Sequence, residues 1–343
     1  MNRSSRHVIV ACMLLLLGIP GQALAAGFSQ VGTTGFLSEA TFPGIRSMGL
    51  GGADFAAPEG PGAIMLTPAV PLSGTTAAVS YAHCNWIAKL NVSQLAAAGE
   101  WRGFRLGIAR HEEAFHGLIQ TAYNPEGTQK DAVQQVYTTG LSREILPPSW
   151  RDLGVSVVAG ASWRHYRSEL GSDKESGNDA DLGLNLRWRR EGALGWVGVD
   201  LAAMRHNILK STIGSDREEY NLPAYSQVGF ALTGSLKPDQ YAWELLRLMT
   251  AYTHRQEARE EDRLRFHDDR WGVELTILET LAVRWGESDH APYEGESTTQ
   301  GLGLTIPRRL IDPVEVQLNW ARIDGGIFQD NFDTYGATVS AWF

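Results

Sequence analysis

The sequence has almost no cysteine and no hydrophobic run long enough to cross a membrane as a helix. Its two cysteines are Cys12 and Cys84. Its longest apolar run, Val8 to Pro20, has 13 residues, whereas a membrane-spanning helix needs about 20. These shortages exclude a domain held together by disulfides and a protein anchored by helices.

Positive charge is also in short supply. The chain has 30 basic and 39 acidic residues, a net charge of −9, so the overall balance gives no attraction to polyanions and we expect no nucleic-acid partner. A hydrophobic content of 43% is typical of a folded chain. The 37 glycines, 11 tryptophans and 10 tyrosines favour many short strands and turns.

Residues 1–25 have the features of a secretory signal peptide. Arg3 and Arg6 precede the apolar run, and the small residues of Ala23-Leu24-Ala25 predict cleavage before Ala26. Cleavage there would remove Cys12 with the signal. The mature chain would then keep a single cysteine and form no internal disulfide.

From residue 75 onward, apolar and polar residues alternate with a period of two, which predicts β-strands. Between Asp181 and Arg189 the even-numbered residues are Leu, Leu, Leu and Trp, whereas the odd-numbered ones are polar or glycine. The same rule predicts fourteen strands, near 75–82, 92–101, 103–113, 132–144, 152–166, 178–190, 194–206, 223–235, 241–256, 264–278, 280–288, 297–306, 313–323 and 332–343.

Alternation alone describes both a soluble β-sandwich and a transmembrane barrel. An even strand number, connections that alternate between short and long, and aromatic residues at both ends of the apolar rows favour the barrel. The long connections are predicted near 112–131, 167–177, 207–222, 257–263 and 288–296. We therefore predict an all-β, 14-stranded antiparallel transmembrane barrel at 75–343, embedded in the outer-membrane lipid of a diderm bacterium.

Residues 26–74 show no clear period and are too long for a simple leader. A barrel of fourteen strands is wider than the eight-stranded barrels that their own side chains fill, so we predict that this segment plugs the lumen. The alternative is a periplasmic arm outside the barrel. The predicted plug residues are Gly44, Arg46, Met48, Gly49, Gly51, Gly52, Asp54 and Pro68.

Charged residues on the face opposite the apolar rows are predicted to point into the lumen. An unpaired charge there would be costly, so these residues should pair with one another, with the plug or with water. Two interpretations stay open: a ladder of charges that anchors the plug, and a polar permeation path. The residues are Arg105, Arg164, Asp181, Arg187, Arg189, Asp200, Arg247, Glu274, Arg284 and Glu315.

Patterns for catalysis or metal binding are weak. The histidines of His111, Glu112 and His116 are five residues apart, whereas a zinc-protease helix needs a spacing of four. The groups at 267–269 and 289–290 fall on predicted strands, where neighbouring residues point to opposite faces. No motif ties a serine to a histidine. We predict no catalytic site, no metal site and no cofactor, and hence no enzyme.

A family resemblance rests on the glycine-rich run and on the strand succession. Arg46, Gly49, Gly51, Gly52 and Ala53, followed by the Pro68-Ala69 pair, resemble the PorV/PorQ family of outer-membrane barrels, which is related in fold to FadL-type transporters. The resemblance continues through LSREILPPSWRDLGVSV and DADLGLNLRW and covers essentially the whole mature chain.

The resemblance implies a plugged fourteen-stranded barrel with one of two functions. The preferred hypothesis is a carrier of substrates in type IX protein secretion, with secreted proteins or secretion components as partners. The alternative is a FadL-like gate for the uptake of hydrophobic small molecules.

The last predicted strand ends in an alternating row that resembles the assembly signal of outer-membrane barrels. The row contains Tyr335, Val339, Ala341 and Phe343, and it implies the barrel assembly machinery as a partner. Deleting Phe343 should lower the amount of assembled barrel, because the terminal ring is recognised during insertion. Heat-modifiable migration on a denaturing gel measures that amount. An unchanged amount would contradict the assembly role.

Overall fold

The structure is a computed structural model that describes residues 44–85, 90–118, 130–170, 173–215, 218–222, 224–239, 241, 243–258, 265–290, 295–325 and 332–342. The predicted signal peptide, the first part of the predicted plug and Phe343 lie outside the described residues.

Sixteen strands are described, of which fourteen form one closed antiparallel barrel and two form a separate hairpin. The strands are β1 (Ala77–Asn85), β2 (Leu90–Trp101), β3 (Phe104–Leu118), β4 (Lys130–Glu144), β5 (Val155–Leu170), β6 (Asp173–Gly192), β7 (Gly195–Arg205), β8 (Thr212–Ser215), β9 (Glu218–Asn221), β10 (Tyr225–Leu236), β11 (Leu246–Ala258), β12 (Arg265–Ile277), β13 (Leu281–His290), β14 (Gly295–Ile306), β15 (Val314–Gly325) and β16 (Phe332–Ala341).

The barrel closes where β1 pairs with β16, from Ala77 opposite Ala341 to Cys84 opposite Thr334. The other barrel strands pair with their neighbours along the chain, except that β7 pairs with β10. The β8–β9 hairpin lies between those two strands in the sequence. The predicted fourteen-stranded antiparallel barrel is thus confirmed, whereas the hairpin was not predicted.

The two faces of the wall differ sharply in exposure. Leu182 on β6 is 52% exposed, whereas the neighbouring Asp181 is fully buried. Aromatic residues also stand on the outer face, including Trp101, Trp163, Trp188, Trp271, Trp285 and Tyr335. An apolar outer face and a polar lumen are what a barrel in lipid requires.

Two of the predicted long connections are largely strand. β5 and β6 remain paired as far as Leu170 and Asp173, so only residues 171–172 separate them and the predicted connection at 167–177 is wrong. β13 and β14 likewise reach His290 and Gly295. Apolar alternation fades at these strand ends, but the backbone groups still need hydrogen-bond partners and the ladder continues.

The barrel has two distinct ends, which we name by their connections. The turn end carries the tight turns at 102–103 and 193–194, together with short helices at Pro148–Leu153 and Arg308–Ile311. The loop end carries the β8–β9 hairpin. Short turns of bacterial outer-membrane barrels face the periplasm.

Residues 44–72, which we call the lumen segment, lie inside the barrel. A short α-helix, Ile45–Gly49, contacts β13–β16. The 3₁₀ helix Ala53–Phe55 contacts β10–β12, and a second one, Pro61–Met65, contacts β1–β4. Four prolines, at 58, 61, 68 and 71, prevent one continuous helix. Among the described residues, no helix is long and apolar enough to span a membrane.

Glycines occupy the wall where the lumen segment approaches it most closely. A Cβ atom on Gly286 would overlap the backbone of Leu50, and one on the facing Gly272 would lie 2.6 Å from the Leu50 carbonyl oxygen. On the far side of the barrel, Gly160 faces the backbone of Pro68 in the same way. The lumen segment therefore packs backbone against backbone, which any side chain at these positions would prevent.

This contact predicts the effect of adding one methyl group. Gly286→Ala should destabilise the docked segment by about 1–3 kcal/mol, the usual cost of overpacking. Gly234→Ala is the matched control, because a Cβ atom there meets no described atom within 4 Å. Urea unfolding of both variants measures the difference. Equal midpoints would show that the segment does not pack on β13.

Candidate functional site

A polar cavity of about 580 Å³ lies in the lumen at the turn end. The lumen segment forms its inner boundary, and inward side chains from the strand ends form its walls. Equal numbers of arginines and carboxylates give the lining no net charge, and the cavity suits water and ions better than apolar molecules. The charged lining residues are Arg46, Arg105, Arg187, Arg189, Arg247, Arg284, Asp54, Glu59, Glu244, Glu274, Glu279 and Glu315.

Arg46 ties the lumen segment to the barrel wall. Its Nε and Nη2 donate to the two carboxylate oxygens of Glu274 on β12, at 3.0 and 3.1 Å. Its Nη1 donates to Asp54 Oδ2 at 3.2 Å and to the Ala57 carbonyl at 3.0 Å. Arg46 and Glu274 are 12% and 2% exposed, so this two-point ion pair is largely shielded from water. Charge-assisted hydrogen bonds of this kind are strong.

Two wall arginines share the same carboxylate. Arg284 Nε donates to Glu274 at 2.6 Å, and Arg247 Nη2 lies 4.0 Å from it. Arg247 also faces Glu59 of the lumen segment at 3.7 Å. Glu274 is therefore the negative centre on which three guanidinium groups converge.

Burial and pairing act differently on the two charged groups of the lumen segment that meet in this network, Arg46 and Asp54. Burial lowers the pKa of Arg46, but the Glu274, Glu59 and Asp54 carboxylates outweigh it and raise the pKa above its ordinary value. Burial raises the pKa of Asp54 above its ordinary value, and Arg46 only partly offsets this. The three carboxylates thus stabilise the charged form of Arg46.

The remaining lumen charges around the cavity form separate local pairs. Arg105 pairs with Glu100 at 3.1 Å, and Arg187 pairs with Asp200 at 2.6 Å. Arg189 stacks on the Trp196 ring, 3.9 Å from its centre. Glu315 accepts a hydrogen bond from Gln317 at 3.1 Å.

A second buried centre lies towards the loop end, around Asp181. One of its carboxylate oxygens accepts hydrogen bonds from Ser162 Oγ at 3.0 Å and Arg164 Nε at 2.7 Å. The other lies 2.6 Å from His206 Nδ1. Arg164 Nη2 also donates to the Met65 carbonyl at 3.0 Å, so this centre contacts the lumen segment as well.

The β8–β9 hairpin covers this second centre. Ile213 and Leu222 are buried against Val136 and Tyr166 of the barrel wall. Asn207 fixes the base of the hairpin by donating to the Leu222 carbonyl at 2.8 Å. From the turn end to the loop end, the described lumen thus contains the polar cavity, the lumen segment, the Asp181 centre and the hairpin.

The predicted lumen charges do not form a single ladder. Glu274, Arg284 and Arg247 surround Arg46 of the lumen segment, whereas Arg164 and Asp181 meet His206 near the hairpin. Four others line the cavity, namely Arg105, Arg187, Arg189 and Glu315, and Asp200 pairs with Arg187.

The predicted plug residues contact different parts of the wall. Met48 Sδ lies 2.9 Å from Thr334 Oγ1 on β16. Gly51 has a φ of +62°, and a Cβ there would lie 2.8 Å from the Glu287 amide. The others are placed as follows: Gly44 precedes the α-helix, Gly49 faces Gly301, Gly52 precedes the first 3₁₀ helix, Asp54 binds Arg46, and Pro68 faces Gly160 and Gly183.

The predicted assembly row lies on the outer face as far as it is described. Tyr335 and Val339 are 60% and 46% exposed, and Ala341 is partly exposed. Phe343 lies outside the described residues, so its role stays a prediction.

Among the side chains that the structure describes, those of the histidine groups considered in the sequence do not converge. His111 and Glu112 are neighbours on β3, where His111 lies in the lumen 3.3 Å from Glu113. Glu112 instead accepts a hydrogen bond from Gln135 at 2.6 Å. Asp269 pairs with His254 on the neighbouring strand at 2.7 Å. The side chains of His116, His267 and His290 lie outside the described part of the chain.

Sequence reasoning missed His206, the partner of Asp181, and Asp179, which lies on the other side of the His206 ring. The sequence does contain a signal for these residues. Asp179 and Asp181 are two residues apart, which predicts that they share the inward face of one strand. Folding β7 back across the predicted turn near 191–192 would bring residue 206 beside Asp181. The structure pairs Leu182 with Arg205.

Comparisons with known proteins find similarity only at the level of structure. No protein-family model matches the chain, and no curated protein matches it. A Pseudomonas aeruginosa FadL homologue aligns with 93% of this chain and 100% of its own, at 9% identity and a TM-score of 0.50. The Pseudomonas putida toluene transporter TodX covers 87% and 97% of the two chains, at 11% identity and a TM-score of 0.47.

The Acinetobacter baumannii outer-membrane protein Omp33 aligns with 78% of this chain and 98% of its own, at 10% identity and a TM-score of 0.41. At these identities the likeness concerns the fold alone. The chain has the fold of FadL-like outer-membrane barrels. Membership of the PorV/PorQ family, which the sequence resembled, is not shown.

The Arg46 network predicts a large effect of removing its central charge. Glu274→Gln leaves buried guanidinium groups without their carboxylate, which costs about 3–5 kcal/mol. If this loosens the lumen segment, trypsin should cut after Arg46 about a hundredfold faster or more.

Glu315→Gln is the matched control, because Glu315 lines the same cavity but bonds to a neutral amide. Its cleavage rate should stay close to that of the wild type. Equal rates in the two variants would show that the Arg46 network does not hold the segment.

Proposed function

We propose that the protein is a non-enzymatic, FadL-like outer-membrane uptake channel for hydrophobic small molecules. The observation that carries the proposal is a closed fourteen-stranded barrel with the lumen segment folded inside it. Its architecture is that of a FadL homologue over 93% of the chain. Outer-membrane lipid surrounds the barrel in this proposal, in a diderm bacterium.

The filled lumen supports a route for specific molecules rather than free diffusion. Porins of 16–18 strands keep an open aqueous channel. Here the lumen segment touches strands on all sides of the barrel, and the hairpin packs above it. These elements stand in the way of free passage by polar solutes, whereas the apolar exterior is compatible with molecules that partition into lipid.

The secretion-carrier hypothesis rests on the sequence resemblance alone. Neither the geometry of the described residues nor the comparisons add support for secreted substrates or secretion components as partners. We therefore rank uptake above secretion, which reverses the order that the sequence favoured.

Deleting residues 27–74 while keeping the signal should open the barrel. Fourteen strands enclose more space than inward side chains fill, so the truncated barrel should conduct ions in planar bilayers, whereas the intact protein should conduct little. A truncated barrel that assembles and remains closed would contradict a plug, and residues 27–74 would then act outside the lumen.

A strain that lacks the gene distinguishes the uptake hypothesis from the secretion hypothesis. Loss of the gene should reduce accumulation of a radiolabelled monoaromatic hydrocarbon, and the chain supplied on a plasmid should restore it. The secreted protein profile, measured in the same cultures, should not change. Retained secreted proteins with normal hydrocarbon accumulation would instead favour the secretion carrier.

A further inference from the structure

The side chains around His206 have an arrangement that neither the fold nor the uptake proposal explains. Asp179, Asp181, His206 and Tyr166 are all fully buried. They come from three places: Tyr166 from β5, the two aspartates from β6, and His206 from the residue after β7. Asp179, Asp181 and His206 each offer a ligand atom within 4.8 Å of the others.

Asp181 fixes the orientation of the imidazole and does not itself face the open position. Its Oδ1 lies 2.6 Å from His206 Nδ1, and its Oδ2 is taken by Ser162 and Arg164. A carboxylate beside Nδ1 favours a proton on that nitrogen, and in such a neutral imidazole Nε2 carries the lone pair that can bind a metal. Carboxylates hold metal-binding histidines in this way.

The Nε2 atom faces two further oxygen atoms. Asp179 Oδ2 lies 3.8 Å away and Tyr166 Oη 3.5 Å away. Asp179 Oδ2 has no hydrogen-bond partner among the described residues, although it is fully buried. A buried carboxylate oxygen that faces Nε2 is stabilised by a positive charge between them, either the proton of an imidazolium or a metal ion.

The distances fit a divalent ion at that position. Nitrogen and oxygen ligands lie about 2.0–2.2 Å from Zn²⁺, so two such bonds reach across about 4 Å. His206 Nε2 lies 3.5 Å from Tyr166 Oη and 3.8 Å from Asp179 Oδ2, so one ion can contact Nε2 together with either oxygen. Imidazole with oxygen ligands suits first-row metals, whereas sites for Mg²⁺ or Ca²⁺ are built from oxygens alone.

We propose that His206 Nε2, Asp179 Oδ2 and Tyr166 Oη form a binding site for a first-row divalent cation of the Zn²⁺ class. Three protein ligands leave a fourth position for water. The ion would join β5 and β6 to the base of the β8–β9 hairpin and fasten that hairpin over the lumen segment. This inference stands independently of the uptake function.

The test uses the full chain folded in detergent micelles, without a histidine tag and stripped of metal by a chelator. Calorimetric titration with Zn²⁺ and elemental analysis should find about one ion per chain. Asp179→Asn and His206→Gln should each weaken binding at least tenfold. Heat-modifiable migration of each variant checks that the barrel has formed.

His254→Gln is the matched control, because it removes a histidine that also pairs with an aspartate but is 30% exposed. Its affinity for Zn²⁺ should equal that of the wild type. Should the cluster variants fail to fold, Co²⁺ added to the wild type decides: visible absorption that Zn²⁺ abolishes supports the site. No stoichiometric Zn²⁺ in the wild type, or unchanged binding in folded Asp179→Asn, would overturn it and leave His206 protonated between two carboxylates.

Discussion

The pairing of β1 with β16 is the constraint on which the rest of the structure depends. Lipid offers no hydrogen-bond partners, and each unsatisfied backbone group there costs several kcal/mol. The ladder from Ala77–Ala341 to Cys84–Thr334 removes both sheet edges. Closure at fourteen strands fixes the width of the barrel, and that width leaves an interior that inward side chains alone do not fill.

The lumen segment and the wall are fitted to each other at the level of the backbone. Gly272 and Gly286 face each other across two strands, and Leu50 lies against both. Glycine weakens a strand by itself, so its use here makes sense only with a partner in contact. The low strand propensity of these glycines is offset by close packing between the wall and the lumen segment.

Charge has two different tasks in this lumen. At Glu274, the negative charge holds the lumen segment through Arg46. Apolar side chains of similar size would pack as well, but they would specify the position of the lumen segment on the wall less strictly. At Asp181, the charge orients His206 beneath the hairpin. Both centres are buried, and each links an element inside the barrel, the lumen segment or the hairpin, to the strands of the wall.

The sequence by itself determined the barrel. The period of two is a local property, so fourteen strands could be counted from single stretches such as 181–189, and the inward charges could be named from parity alone. What parity leaves open is how far each strand continues. β5 and β6 extend to Leu170 and Asp173 through residues without apolar alternation, because their backbone pairing there does not depend on lipid.

Only the tertiary structure decided which inward residues meet. Arg46 and Glu274 are 228 positions apart in the chain, and their contact follows from where the lumen segment docks. Strand parity predicted Asp181 only as one of several inward charges. The structure places His206, which follows the next strand, 2.6 Å from it. The face on which a strand residue lies depends on its neighbours in the sequence, so the pattern predicts it. The residues that meet in a site depend on how the barrel closes and on what fills the space inside it.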